Sequence, residues 1–108
     1  MPSVDFMDIC VRNYSSSDRD DVLRVCELGP LPLSLPLDSL RGARKFVAVR
    51  ENEIIGFGAI DVEITCTVCA YATLIALCSE NDCALSALKD ALYTYAKNCG
   101  VTVIRNRL

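Results

Sequence analysis

The chain contains no histidine. That absence removes the commonest general base near neutral pH, the Ser/Cys–His triads and most catalytic zinc sites. No apolar run approaches the roughly 20 residues that a membrane-spanning helix needs. The opening residues, MPSVDFMDICVRN, lack a basic region followed by an apolar one, so no secretion signal is expected. Basic charge is not in excess either: 11 Lys and Arg stand against 14 Asp and Glu, a net charge of −3. That sign argues against a nucleic-acid partner, and the value is too mild for an acidic tail. No internal repeat is present. What the 108 residues do contain is 52% hydrophobic and 23% charged side chains, which excludes a disordered chain and fits one domain, 1–108, with a thin core.

Cysteine is plentiful. Seven thiols in a chain with no export signal imply a reduced compartment, cytoplasm or nucleus. Most stand among Val, Ile, Leu and Ala, where a free cysteine behaves as a small buried hydrophobe. Cys66, Cys69, Cys78 and Cys83 also spell C-x2-C-x8-C-x4-C, a spacing that could hold a tetrahedral zinc. The intervening AYATLIAL reads as a strand rather than a knuckle, and in one extended strand Cys66 and Cys69 would face opposite ways. Core thiols are therefore expected, and no metal.

Along the chain, alternation predicts a first strand over Phe6–Arg12. Ser17 with Asp20 resembles a capping box, opening a helix with an apolar stripe of Val22, Leu23, Val25, Cys26 and Leu28 that Gly29-Pro30 ends. In Gly29–Lys45, Pro30, Pro32 and Pro36 forbid a regular helix, and Leu31, Leu33, Leu35 and Leu37 recur at every second residue. This Leu31–Leu37 strip reads as a loop pinned on the core or as a partner-binding strip, with a short helical turn over Asp38–Ala43. Arg41, Arg44 and Lys45 beside it form a basic set suited to an acidic partner or a solvated rim. Lys45–Arg50 is a strand, Glu51-Asn52-Glu53 a polar turn and Ile54–Thr65 a longer strand. Gly56 and Gly58 share one face of it, which predicts a helix packed closely there; Asp61 and Glu63 share the other with Phe57. Ala70–Leu77 reads as a buried central strand. Ser79-Glu80-Asn81-Asp82 caps a second helix with apolar Leu85, Leu88, Leu92, Tyr95, Ala96 and Cys99, and Gly100 stands at its left-handed end. Val101–Arg105 is the last strand, parallel to the one before the helix.

The order β-α-loop-β-β-β-α-β, an α/β (α+β) mixed sheet, resembles the GNAT superfamily of acetyl-CoA-dependent N-acetyltransferases. ICVRNYSSSDRDDVLRVCE looks like that family's first strand and helix, FVAVRENEIIGFGAI like its central hairpin, and ALKDALYTYAKNCGVTVIR like its third helix and fifth strand. The resemblance implies a pyrophosphate-binding [QR]-x-x-G-x-[GA] loop before the third helix, where glycines let backbone N–H groups close around phosphate. Here Glu80 stands at the basic or amide position, and Asn81, Cys83 and Leu85 stand at the glycine positions. Glu80 and Asp82 further put two carboxylates in the first turn, where they satisfy the helix dipole themselves. Two like charges 4 Å apart at an effective dielectric near 20 cost about 4 kcal/mol. Read as a whole protein, the chain also stops where the family continues with a helix and two strands, which would leave Val101–Arg105 an open sheet edge.

The expected function is accordingly a non-catalytic protein-binding or regulatory module on a GNAT-like scaffold, with no cofactor. Its expected partner is a second copy or another protein, engaged through the Val101–Arg105 edge or the Leu31–Leu37 strip. The alternative is a minimal acetyl-CoA-dependent N-acetyltransferase acting on an amine. In that case Asp61 and Glu63 are the proton acceptors and Tyr71 a donor, while Leu77, Ser79, Asn81, Cys83 and Ala84 hold the cofactor.

Overall fold

The structure is a computed structural model that describes residues 9–28, 42–66, 69–79 and 81–106. Within them a five-stranded sheet runs in spatial order β1-β2-β3-β4-β5: β1 is Cys10–Asn13, β2 Arg44–Arg50, β3 Glu53–Cys66, β4 Cys69–Ser79 and β5 Val103–Asn106. The first four strands are antiparallel neighbours, whereas β5 lies parallel to β4 and is reached through helix α2, Asp82–Asn98. Helix α1, Arg19–Leu28, packs on the opposite face from α2. This is the expected order and the expected parallel crossover.

Several boundaries move. The first strand is Cys10–Asn13 rather than Phe6–Arg12, and Phe6–Asp8 lie outside the described residues. Helix entry comes earlier than Ser17 and Asp20, because Asp18 does two jobs at once. Its Oδ2 accepts the Ser15 N–H at 2.9 Å, closing the 3-10 turn Ser16–Asp18, and its carboxylate takes a two-pronged bond from the Arg12 guanidinium at 2.8 and 3.0 Å. Gly29–Arg41 lies outside the described residues, and with it the Leu31–Leu37 strip, most of the Asp38–Ala43 turn and Arg41. Arg44 belongs to β2 rather than to a loop. The β2–β3 turn needs only Glu51 and Asn52, both at positive φ (53° and 64°), so Glu53 already pairs with Arg50. The last strand starts at Val103 instead of Val101, since the Val101 N–H bonds back to Ala96 O (3.1 Å) and Gly100 N–H to Lys97 O (2.9 Å), with Gly100 at φ +85°. That Schellman ending uses Val101, which alternation alone assigns to a strand.

Two half-cores result. Val22, Val25 and Cys26 of α1 pack on Val47, Phe57, Ala59, Ala76 and Cys78. Leu88, Leu92 and Ala96 of α2 pack on Ala48, Ile60, Ala72 and Leu74. Ala84, not Leu85, is the first buried residue of the α2 stripe. In β4 the pairing slips so that Ala59 faces Ala76 while Ile60 faces Leu74, leaving Ile75 as an extra residue. Ile75 therefore joins Ala76 on the α1 face.

The closest helix–sheet approach is at the paired glycines. A Cβ on Gly58 would stand 2.8 Å from Leu92 Cδ1; one on Gly56 would stand 2.9 Å from Leu88 Cδ1, 3.2 Å from Ser79 Cβ and 3.3 Å from the Cys78 carbonyl. The helix covering expected over these glycines is thus present.

Two outcomes follow from this packing. Gly56→Ala lowers unfolding free energy in urea by about 1–3 kcal/mol, and combining it with Leu88→Ala costs less than the sum of the two. Asp18 is held below the usual carboxylate range, chiefly by the Arg12 hydrogen bond. Its contribution is therefore complete above the unfolded carboxylate pKa and is lost as pH falls through the lower folded value. Asp18→Asn destabilises the protein at neutral pH by about 1–3 kcal/mol, and acid denaturation series show the gap to wild type closing as the medium becomes more acidic.

Candidate functional site

Strand β4 carries the candidate residues at its two ends. Near its start, cross-strand register sets Glu63 opposite Tyr71 and Asp61 opposite Thr73, and the parallel partner sets Val103 beside Tyr71 and Arg105 beside Thr73. Tyr71 Oη donates to Glu63 Oε2 at 2.6 Å, and the Arg105 guanidinium carbon lies 4.8 Å from the Tyr71 ring centroid. The carboxylate acceptor stabilises the neutral phenol, so the Tyr71 pKa is raised, first by that hydrogen bond and then by the Glu63 charge. The sequence-predicted trio Asp61, Glu63 and Tyr71 is thus brought together on one face. Arg105 is the member that sequence reasoning missed. Its signal was the parallel register, which a strand placed at Val101 shifts by two residues.

The β4–α2 end is of a different kind. Buried Ser79 donates its hydroxyl to Ile55 O at 2.6 Å and accepts the Asn81 N–H at 3.0 Å. Asn81 caps α2: its Oδ1 accepts the Ala84 N–H at 3.1 Å, and its carbonyl accepts the Leu85 N–H at 3.0 Å. Two of the backbone donors of the turn, the Asn81 and Ala84 N–H groups, are therefore engaged by side chains within it, while the Leu85 N–H makes the ordinary first helical bond. Ala84 is fully buried against Ala48 and Leu88, and Leu77 packs into the same side of the core, 3.5 Å from where a Gly58 Cβ would stand. Cys83 is half-buried in the first helical turn. Of the five predicted cofactor residues, Ser79, Asn81 and Ala84 are tied together by these bonds, and Leu77 is committed to packing. Glu80 lies outside the described residues. Two amides of the turn are thus taken by side chains, and exposed Asp82 sits in the first turn of α2.

The cysteines separate rather than cluster. Cys66 and Cys69 end adjacent strands as register partners, so the opposite-face expectation, which assumed a single strand, does not hold. Cys78 lies nine residues along β4 from Cys69, about 30 Å at strand rise. It is buried, in contact with Cys26 of α1. The Cys26 thiol is pushed well above its ordinary value, chiefly by its pairing with Cys78 and then by burial. Cys10 is exposed, against the expectation for most thiols. Among the described residues no group of three or more His, Cys, Asp or Glu could hold a metal ion.

The sequence matches no protein-family model and no curated protein. Solved structures do match. A Staphylococcus aureus GNAT-family acetyltransferase superposes with a TM-score of 0.71 at 14% identity, over 94% of this chain and 87% of its own. A Trypanosoma brucei acetyltransferase gives 0.73 at 16%, over 94% and 83%. An aminoglycoside acetyltransferase from an uncultured soil metagenomic sample gives 0.71 at 17%, over 98% and 80%. The chain has the GNAT acetyltransferase fold.

The Tyr71 environment has a spectroscopic consequence. Glu63→Ala removes the acceptor, and the Tyr71 phenol then titrates lower, nearer its ordinary value. Alkaline absorbance titration, with Tyr71→Phe as the reference that isolates this phenol among the four tyrosines, reads the change.

Proposed function

We propose that this chain is a non-catalytic protein-binding module built on an acetyltransferase scaffold. The observation that carries the reading is the turn before α2, in which Ser79 and Asn81 side chains engage two of the backbone donors, the Asn81 and Ala84 N–H groups, that a cofactor phosphate could use. Asp82 at the same helix start adds repulsion toward an anion. A scaffold of this kind keeps its sheet and loses its nucleotide, and what remains useful is surface. The β5 side supplies one: among the described residues β5 pairs with Tyr71–Leu74 of β4 and no other strand, and Val103 on it is 55% exposed. A further strand, from a second copy of this chain or from another protein, extends the sheet there.

The second reading, an acetyl-CoA-dependent N-acetyltransferase acting on an amine, draws on the Glu63–Tyr71 pair and on the printed activities of the structural neighbours. On it, Glu63 or Asp61 takes up the proton of the attacking amine and Tyr71 is the donor.

Calorimetry of the full chain with acetyl-CoA separates the two. The binding module gives no saturable heat, and no rise in melting temperature at millimolar ligand. A micromolar dissociation constant would overturn it, as would acetyl transfer to any member of a broad amine panel.

A further inference from the structure

A cavity of about 370 Å³ opens between α1, the β2–β3 turn and the start of α2. The Glu63–Tyr71 face does not line it, and of the turn before α2 only Asn81 does. Its walls include Arg24 and Val25 of α1, Arg50 of β2, Glu53 and Ile54 of β3, and Asn81. We infer that this cavity is a binding site for a small organic anion, a carboxylate or a phosphate monoester on an apolar body, held between Arg24 and Arg50.

Three observations support it. First, the lining sets two guanidiniums against one carboxylate, and the Oδ1 of Asn81 is committed to the helix cap, so its amide NH2 adds a further donor. Second, neither arginine is firmly engaged. Arg24 reaches Asp21 only at 3.6 Å, with both side chains about half exposed, a pair of little strength. Arg50 faces Glu53 in register across the turn, yet forms no ion pair among the described residues. A guanidinium offers its donors as a planar fork that matches two oxygens of a carboxylate or phosphate. Third, Val25 and Ile54 are buried and give the cavity an apolar floor, while its volume is at the lower end for small-molecule sites. An inorganic ion would leave that floor unused. The site goes beyond the protein-binding reading and does not depend on it.

The test is an NMR titration of the full chain, labelled with 15N, following the Arg24 and Arg50 side-chain Nε–H signals. The probes are sodium hexanoate, hexyl phosphate, hexylamine and inorganic phosphate. Saturable shifts with hexanoate, hexyl phosphate or both support the site, and which of them acts identifies the head group. Arg50→Lys keeps the charge but loses the fork, and it should weaken binding at least tenfold; Arg24→Met should do the same. Non-saturating shifts in both anionic arms would overturn the site, as would equal response to hexylamine or unchanged affinity in both variants. Inorganic phosphate binding as tightly as hexyl phosphate would overturn it too, by removing any role for the floor. A coenzyme A arm keeps the two proposals apart. Coenzyme A that binds and leaves the arginine signals unmoved sinks the binding-module reading alone; coenzyme A that displaces hexanoate assigns the cavity to the cofactor and sinks this inference.

Discussion

The close seating of α2 on β3 is the constraint from which the rest follows. Gly56 and Gly58 present no Cβ to the helix, and Leu88 and Leu92 fill the space that a methyl would take. A helix held this near the sheet leaves little freedom at its first turn. Asn81 must then cap within hydrogen-bond reach of both Ser79 and Ala84, and Ser79 must satisfy its own hydroxyl on Ile55 O, because it is buried beside Gly56. Packing, cap and turn chemistry are thus one cooperative unit, in which each buried polar atom has a partner.

That unit divides β4 into two chemical environments. Tyr71 and Ser79 are eight residues apart, about 25 Å along the strand, and the extra residue at Ile75 intervenes. The β5 end is polar, with Tyr71 in contact with both Glu63 and Arg105. At the α2 end Ser79 is buried and the cap bonds turn inward. Arg24 and Arg50 stand nearby on the α1 side, around the cavity that Asn81 also lines.

Much of this was legible in the sequence, and the reasons differ by residue. Gly56 and Gly58, two apart in a strand, announced a helix on their face; Gly100 announced the end of α2; the order of elements announced the parallel crossover. These signals are local and periodic. The boundaries that failed depended on side-chain pairing across a turn or on turn geometry. Asp18 replaces Asp20 in closing the first turn because Arg12, on a neighbouring strand, selects it. Val101 leaves the last strand because its N–H is claimed by Ala96. Cys66 and Cys69 fall on two strands, one residue beyond the strand ends at Thr65 and Ala70 read from the sequence. The Asp61, Glu63 and Tyr71 trio could be named from face alternation, but the Arg24 and Arg50 walls could not, since α1 and the β2–β3 turn meet only in three dimensions.

How firmly the closed turn excludes a diphosphate is a matter of energy rather than shape. An incoming phosphate oxygen would have to displace Ser79 Oγ from the Asn81 N–H and Asn81 Oδ1 from the Ala84 N–H. Each such bond contributes about 0.5–1.5 kcal/mol net, so the exchange begins roughly one to two decades of affinity behind an open, glycine-lined loop. The displaced Asn81 amide and Ser79 hydroxyl must then find water in a region where Ser79 is 1% exposed, which raises the cost of moving them. Asp82 adds its charge at the helix start, where the dipole already favours it over a competing anion. None of these effects is decisive alone. Because they act on the same few atoms they reinforce one another, and on the proposed reading the turn serves to hold α2 in place rather than a nucleotide.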